Sequence, residues 1–130
     1  MALRFTFVPE LDLVLETADA EVTGEHMLAA RTEEVQASEF KACKRILTDA
    51  RAVESPAVGP EDLRRLADLV ESHRELYRDK RWAFVMGGAR STGLAMILSK
   101  LFTDRGILDA EVFSTMDGAC EWLGIPPLDD

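Results

Sequence analysis

The residues best suited to chemistry occupy one glycine-rich segment, and they are Gly87, Gly88, Arg90, Ser91 and Thr92. The segment follows an apolar run and precedes a helical pattern, so its backbone N–H groups and the positive end of a helix dipole would face a bound anion. Arg90 would add positive charge, and the two hydroxyls would add hydrogen-bond donors. The segment predicts a small-anion or ligand contact. The alternative is a tight turn at the glycines, with Ser91 or Thr92 capping the helix.

Nucleotide-binding motifs do not fit this segment. Gly88 and Gly93 give the spacing GxxxxG, but Leu94 and Ala95 follow where a P-loop needs Lys and then Ser or Thr. The dinucleotide motif GxGxxG does not occur there. The sequence therefore predicts no nucleotide cofactor.

A second group of polar residues comes after an earlier apolar run and consists of Asp49, Arg51 and Ser55. Open α/β sheets bind ligands at the carboxyl ends of their strands, so Asp49 and Arg51 could hold a polar ligand or a partner loop. With Arg90 they would form the polar site of a small enzyme. Alternatively, Asp49 caps the amides of its own loop and Arg51 pairs with Glu54. Ser55 is a weak candidate phospho-acceptor.

The pattern offers no nucleophile with a base beside it and no metal-ligand spacing. His26 and His73 are far apart in the sequence, and neither has a Ser or Cys arranged for nucleophilic catalysis. Cys43 and Cys120 are the only cysteines, and no CxxC occurs. We expect buried structural thiols in a reducing cytoplasm, no metal and no cofactor.

The segment 94–102 is the most apolar helical pattern of the chain. Its large side chains cover more of the circumference than one packed face requires, and the candidates for a surface are Leu94, Met96, Ile97, Leu98 and Phe102. Such a surplus favours a lipophilic ligand or a second subunit. The alternative is a central helix covered by neighbours on both sides.

The positions of these groups depend on a repeated pattern of short apolar runs. The runs 45–49, 82–86 and 110–113 are each followed by a turn and a helix-like stretch, which is typical of a parallel α/β sheet. Residues 4–8 and 12–17 alternate apolar and polar side chains around a turn and predict an antiparallel hairpin.

Helices are predicted over 24–38, with Thr23 as N-cap, and over 60–77, where the apolar spacing is i, i+3, i+4, i+7. The first of these has only a thin apolar stripe and should be half-buried at best. A last helix is capped by Ser114 or Thr115 and ends at Gly124. We expect one domain over residues 1–130.

The charge of the chain excludes some partners. Its 24 acidic and 15 basic residues give a net charge of −9, which disfavours nucleic acid and anionic membrane surfaces. Nine acids and two bases fall in residues 1–40. This imbalance indicates either a docking face for a basic partner or a solvated strand edge and helix face. No apolar run reaches the ~20 residues of a membrane span, and no signal peptide is recognised.

Short segments spread along the chain resemble the STAS-like family of small bacterial proteins, also called SpoIIAA-like after the anti-anti-sigma factors. The most specific is Val112-Phe113 leading into Asp117-Gly118-Ala119-Cys120-Glu121-Trp122-Leu123. The others are Gly24-Glu25, Ile46 to Arg51 with its Asp-x-Arg ending, and Trp82 to Val85 followed by Thr92 to Met96.

The resemblance implies a mixed sheet with an N-terminal hairpin, about four helices largely on one face, and no enzymatic activity. Anti-anti-sigma factors are similar in carrying a phosphorylatable serine after the Asp-ended strand. Here Ala57, Val58 and Gly59 stand where that motif would be, which speaks against such a switch. We therefore expect a non-enzymatic binding or regulatory module that acts through a protein partner, a second copy of the chain included, or a small apolar or anionic ligand. The alternatives are the small enzyme and a lipid-binding module of CRAL-TRIO type.

Overall fold

The fold is built on a five-stranded mixed sheet, seen in a computed structural model that describes residues 2–53 and 57–128. The strands are β1 (Leu3–Val8), β2 (Leu13–Ala18), β3 (Arg45–Ala50), β4 (Arg81–Met86) and β5 (Asp109–Phe113), and they lie in sequence order across the sheet. β1 and β2 pair antiparallel, and every later pair is parallel. The predicted hairpin and the mostly parallel sheet are confirmed.

The described residues form six helices rather than about four. They are α1 (Gly24–Gln36), α2 (Ser38–Ala42), α3 (Pro60–Ser72), α4 (Arg74–Tyr77), α5 (Ala89–Asp104) and α6 (Met116–Leu123). The extra helices, α2 and α4, are single turns. The predicted helix 60–77 breaks at His73, whose backbone leaves the helical region at φ −115° and ψ 30°. The break lets α4 carry Tyr77 into the core, where the ring is fully buried.

Side-chain alternation along the strands creates two apolar layers, one on each face of the sheet. On one face Ile46, Trp82 and Phe84 pack against α3 and α5, and α1 lies beside them. On the other face Leu47 and Val85 pack against α6. Because α6 is the only α-helix of the described residues on its face, where a short 3-10 turn at Pro9–Leu11 adds Leu11, the helices are largely on one face, as expected.

Local signals set the helix ends. The Thr23 hydroxyl accepts a hydrogen bond from the His26 N–H at 3.2 Å, so the predicted N-cap of α1 is confirmed. Thr115 caps α6 by accepting from the Gly118 N–H at 3.1 Å. Gly124 ends α6 with φ 75°, a left-handed conformation that glycine adopts without strain.

The two cysteines are buried, and both thiols are free. Cys43 follows α2, and Cys120 lies on α6. Among the described residues, no helix is both long and apolar enough to cross a membrane.

Candidate functional site

A cavity of about 80 Å³ lies between the sheet and helices α1, α3 and α5. Its walls are apolar and come from every neighbouring element: Ala50 and Met86 from the strand ends, Leu66 from α3, and Leu98 from α5. The cavity is near the carboxyl ends of β3 and β4, where parallel sheets commonly bind ligands. We call it the central cavity.

Two charged side chains also line the central cavity. Arg31 of α1 and Glu16 of β2 are 2% and 1% exposed. Strand register places Glu16 directly beside Thr48 of β3, and the Thr48 hydroxyl donates to Glu16 Oε1. Trp82 Nε1 donates in turn to Thr48 Oγ1 at 2.9 Å. Glu16 Oε2 forms an ion pair with Arg31 Nη2, so strand and helix are joined through buried charge.

A third charged residue, Glu34, lies one helical turn after Arg31 and is fully buried. Arg31 Nη2 donates to Glu34 Oε2 at 3.3 Å. Glu16, Arg31 and Glu34 are together the buried charge cluster. Such a cluster is energetically demanding, because charges taken out of water need both neutralisation and hydrogen bonds.

The net charge of the cluster depends on the protonation of Glu34. Burial raises the pKa of the Glu34 carboxyl to about 10; Arg31 opposes this rise and Glu16 adds to it. Glu34 is therefore protonated at neutral pH. Burial disfavours the Arg31 cation, but Glu16 and Glu34 outweigh it and raise the pKa of the guanidinium. The cluster then contains one cation, Arg31, and one anion, Glu16.

Several donors of Arg31 remain unused. Among the described residues, neither Nε nor Nη1 has a hydrogen-bond partner, although both atoms are buried. The guanidinium carbon lies 5.0 Å from the centre of the Trp82 ring, another wall of the central cavity. The same cluster contains two buried acceptors without a hydrogen-bond partner, Glu16 Oε2 and Glu34 Oε1, so its hydrogen bonding is incomplete for donors and acceptors alike.

Three half-buried side chains complete the lining, and they are Met27, Met86 and Leu94. They come from α1, the end of β4 and the first turns of α5. Because they both line the cavity and reach solvent, the cavity opens to the exterior between them. Two of the three are methionines, whose unbranched side chains move at low energetic cost.

The two polar segments predicted from the sequence are brought together at this edge of the sheet. A Cβ at Gly87 would lie 2.0 Å from the Arg51 carbonyl oxygen. The segment after β4 therefore touches the segment after β3 at a point where only glycine fits. Ser91, which is buried and lines the central cavity, donates its hydroxyl to the Val53 carbonyl. The glycine-rich segment therefore secures one loop to the other.

The helix after this segment begins earlier than predicted. α5 starts at Ala89, with Gly88 at the N-cap position and no side-chain cap, so neither Ser91 nor Thr92 caps it. Thr92 instead donates its hydroxyl back to the Gly88 carbonyl at 2.7 Å. Arg90 is exposed on the first turn of α5 and is not part of the central cavity.

Asp49 and Arg51 form an ion pair with each other. The guanidinium donates from Nε and Nη2 to the two carboxylate oxygens, each at 2.9 Å. These bonds lower the pKa of Asp49, so this carboxylate is held ionised rather than prepared to take up a proton. Glu54, the alternative partner of Arg51, and the candidate phospho-acceptor Ser55 lie outside the described residues.

The apolar residues of segment 94–102 divide among three locations. Leu94 and Leu98 line the central cavity, and Phe102 is fully buried against Trp82, with ring centres 5.3 Å apart. Met96 and Ile97 are 59% and 52% exposed. A continuous apolar surface over all five does not form, because the sheet covers one side of α5.

The buried charge cluster was missed by sequence reasoning. Glu16, Arg31 and Glu34 were all included in the acidic imbalance of residues 1–40 and interpreted as solvated or as a docking face. For these three residues both interpretations are wrong, since the side chains are buried. A signal was present: Arg31 and Glu34 follow Met27 at spacings of four and seven, which places them on the stripe that faces the core.

Among the described residues, no group of three or more His, Cys, Asp or Glu side chains is arranged to hold a metal ion. The residues of the cavity wall that carry polar side-chain atoms are Glu16, Arg31, Thr48, Trp82 and Ser91, and these atoms contribute almost nothing to the cavity surface. Comparison of the chain with protein-family models and with curated proteins finds no match.

Proposed function

We propose that the protein is a non-enzymatic binding module that holds a small, mostly apolar molecule in the central cavity. The observation that carries the proposal is an apolar cavity under three helices with a buried arginine in its wall. Well-packed protein cores contain few voids larger than a water molecule, so a cavity of about 80 Å³ is unusual in a domain of this size.

The volume limits the size of the occupant. A cavity of about 150 Å³ accepts benzene, with six carbon atoms, so 80 Å³ corresponds to about three or four non-hydrogen atoms. At the best ligand efficiency of about −1.5 kcal/mol per atom, four atoms bind no more tightly than about 40 μM. The proposal therefore favours a small metabolite over a whole lipid, which would need the several hundred Å³ of an ordinary ligand pocket.

The hydroxyls of the cavity support binding rather than reaction. Thr48 donates to Glu16, and Ser91 donates to the Val53 carbonyl. A nucleophilic hydroxyl needs a base that removes its proton as it attacks, and the backbone carbonyl that accepts from Ser91 is not a base. The Thr48 oxygen accepts from Trp82 Nε1 while its proton goes to Glu16, so this hydroxyl is held from both sides. The Asp49 carboxylate is likewise engaged by the Arg51 guanidinium.

Xenon pressure with methyl NMR tests the proposal, because xenon enters apolar cavities regardless of their polar groups. We expect progressive shifts for the methyl groups of Leu66 and Leu98. Ala95→Leu adds three carbon atoms inside the cavity, about as many as it holds, and should abolish these shifts. The matched control is Ala89→Leu, the same substitution at an exposed position of the same helix, which should leave them unchanged.

Two results would contradict the proposal. One is a wild-type protein whose cavity methyls do not respond to xenon. The other is an equal response in Ala95→Leu and wild type, which would place the xenon elsewhere.

We also propose membership of the STAS-like family and a cytoplasmic location. The antiparallel β1–β2 pair, the parallel strands after it and the helices gathered on one face support the family proposal. The two free, buried thiols support the location, since such thiols persist most readily in reducing compartments. A fluorescent fusion in the source cell tests the location, and an envelope-bound signal would refute it.

A further inference from the structure

Strand β1 lies at one edge of the sheet, and among the described strands only β2 pairs with it. We infer that the open side of β1 pairs antiparallel with β1 of a second copy of the chain, so that two five-stranded sheets join across a two-fold axis. The inference goes beyond the proposed function, because it concerns the backbone edge of the sheet rather than the contents of the central cavity.

The register of the hairpin determines which backbone groups of β1 face away from β2. The Asp19 N–H donates to the Ala2 carbonyl at 2.8 Å, and the register places these two residues opposite each other. In antiparallel strands, residues that bond to the neighbouring strand alternate with residues whose N–H and C=O point the other way. Arg4 and Thr6 therefore bond to β2. The residues whose backbone groups face the open edge are Leu3, Phe5 and Phe7.

The open edge pairs most completely with itself when the two-fold axis passes at Phe5. Phe5 then lies opposite Phe5 of the second copy, and Leu3 lies opposite Phe7 on both sides of the axis. Each such pair exchanges two hydrogen bonds, so three pairs give six. Moving the axis by one residue leaves two pairs within β1 and four bonds. The register at Phe5 therefore uses every backbone group that β1 presents at the edge.

The side chains of β1 are compatible across this axis. Phe5 and Phe7 are half-buried on the face of the sheet that carries α1, with ring centres 5.6 Å apart. Pairing would extend them into a row of four rings, and aromatic cross-strand pairs stabilise antiparallel strands. On the other face Arg4, the only charged residue of β1, lies opposite the uncharged Thr6 of the second copy, so no like charges meet.

The opposite edge of the sheet is protected against the same pairing. β5 carries two exposed carboxylates, from Asp109 and Glu111. Antiparallel self-pairing centred on Glu111, the middle residue of β5, would place like charges directly opposite each other, which is destabilising. Charged side chains on edge strands commonly prevent association between sheets. Because β1 has one charge and no proline, it is the edge that suits a second copy.

Sedimentation velocity of the full chain tests the inference at pH 7 and about 150 mM salt, which screens the net charge of −9 on each copy. We expect a monomer–dimer equilibrium between about 5 μM and about 1 mM protein, because one strand pair is a small interface. In hydrogen exchange the amides of Phe5 and Phe7 should gain at least about threefold protection over this range. The amides of Arg4 and Thr6, which bond to β2, should not change.

Charge substitutions at Thr6 test the register and leave the core of the monomer untouched, because this side chain is exposed. Thr6→Lys places like charges opposite Arg4 twice in each dimer and should weaken dimerisation at least about fivefold. Thr6→Glu places opposite charges there and should strengthen dimerisation about two- to fivefold. The matched controls are Ser114→Lys and Ser114→Glu, at an exposed position after β5, which should leave the dissociation constant within about twofold of wild type.

A protein that stays monomeric at about 1 mM would overturn the inference and leave the edge to a strand of a different protein. Assemblies larger than a dimer would also overturn it, since they would indicate pairing of β1 with β5 of the next copy. Equal responses to Thr6→Lys and Ser114→Lys would place the interface elsewhere. Weakening by both Thr6→Lys and Thr6→Glu would refute the register, because it would centre the axis on Thr6.

Discussion

Glu34→Gln should change how the stability of the protein depends on pH. In the native state Glu34 is fully buried and protonated, with a pKa raised to about 10 by burial. In the unfolded chain it ionises near pH 4.3, like any exposed glutamate. Between these values unfolding releases a proton, so rising pH favours the unfolded state. Glutamine resembles the protonated side chain in shape but has no proton to release.

The size of the effect follows from one proton. Stability changes by about 1.4 kcal/mol per pH unit for each proton released on unfolding. From pH 5 to pH 8 wild type should therefore lose up to about 4 kcal/mol through Glu34 alone, a large part of the 5–15 kcal/mol typical of a domain. Glu34→Gln should remove this loss, so the variant should match wild type at pH 5 and exceed it at pH 8.

Urea unfolding at pH 5, 6, 7 and 8, followed by tryptophan fluorescence, measures the free energy of unfolding for both proteins. The control is Glu33→Gln, the neighbouring exposed carboxylate on the same helix, which should retain the wild-type slope. Parallel pH profiles for Glu34→Gln and wild type would refute the reasoning, because they would mean that Glu34 is ionised in the native state.

Three further substitution tests address packing. Gly87→Ala should destabilise by about 1–3 kcal/mol, because its Cβ would lie 2.0 Å from a carbonyl oxygen of the preceding loop. Gly93→Ala has open space around it within α5 and should stabilise by about 0.5–1 kcal/mol; a loss at both would contradict the account of the loop contact. Tyr77→Phe should be neutral or stabilise by about 1 kcal/mol, since the buried hydroxyl has no partner among the described residues; a large loss in urea unfolding would reveal a hidden partner. Leu98→Ala should destabilise by about 2–5 kcal/mol and exposed Ile97→Ala by less than about 0.5 kcal/mol, and equal thermal shifts would show that α5 is oriented differently.

Most of the fold could be predicted from the sequence, because apolar and polar residues alternate in regular patterns. The run 82–86 is apolar on both faces because β4 is a central strand with helices above and below, and Trp82 through Val85 are all buried. Period-two alternation likewise located β1 and β2 within one or two residues. Such patterns report burial averaged over an element, and they are reliable when the buried side chains are apolar.

The candidate site could not be predicted from such patterns. Whether a charged side chain is buried depends on contacts between residues that are far apart in the sequence. Glu16 and Arg31 are fifteen positions apart, and only the docking of α1 on β2 makes them partners. The position of Glu16 beside Thr48 depends on strand register, which short alternating segments do not specify. The central cavity is lined by residues from seven helices and strands, so no local sequence pattern indicates it.

The buried charges of α1 also affect the order in which parts of the structure unfold. Ala30 is the only apolar side chain of α1 that is buried. In contrast, α3 buries Leu63, Leu66 and Val70. Detaching α1 therefore exposes little hydrocarbon, and it returns Arg31 and Glu16 to water, where both charges are well solvated. In hydrogen exchange α1 should behave as the least protected long helix, opening before the sheet does. Since α1 supplies Met27 to the mouth of the cavity, that same local opening would widen the mouth and shorten the residence time of a bound molecule.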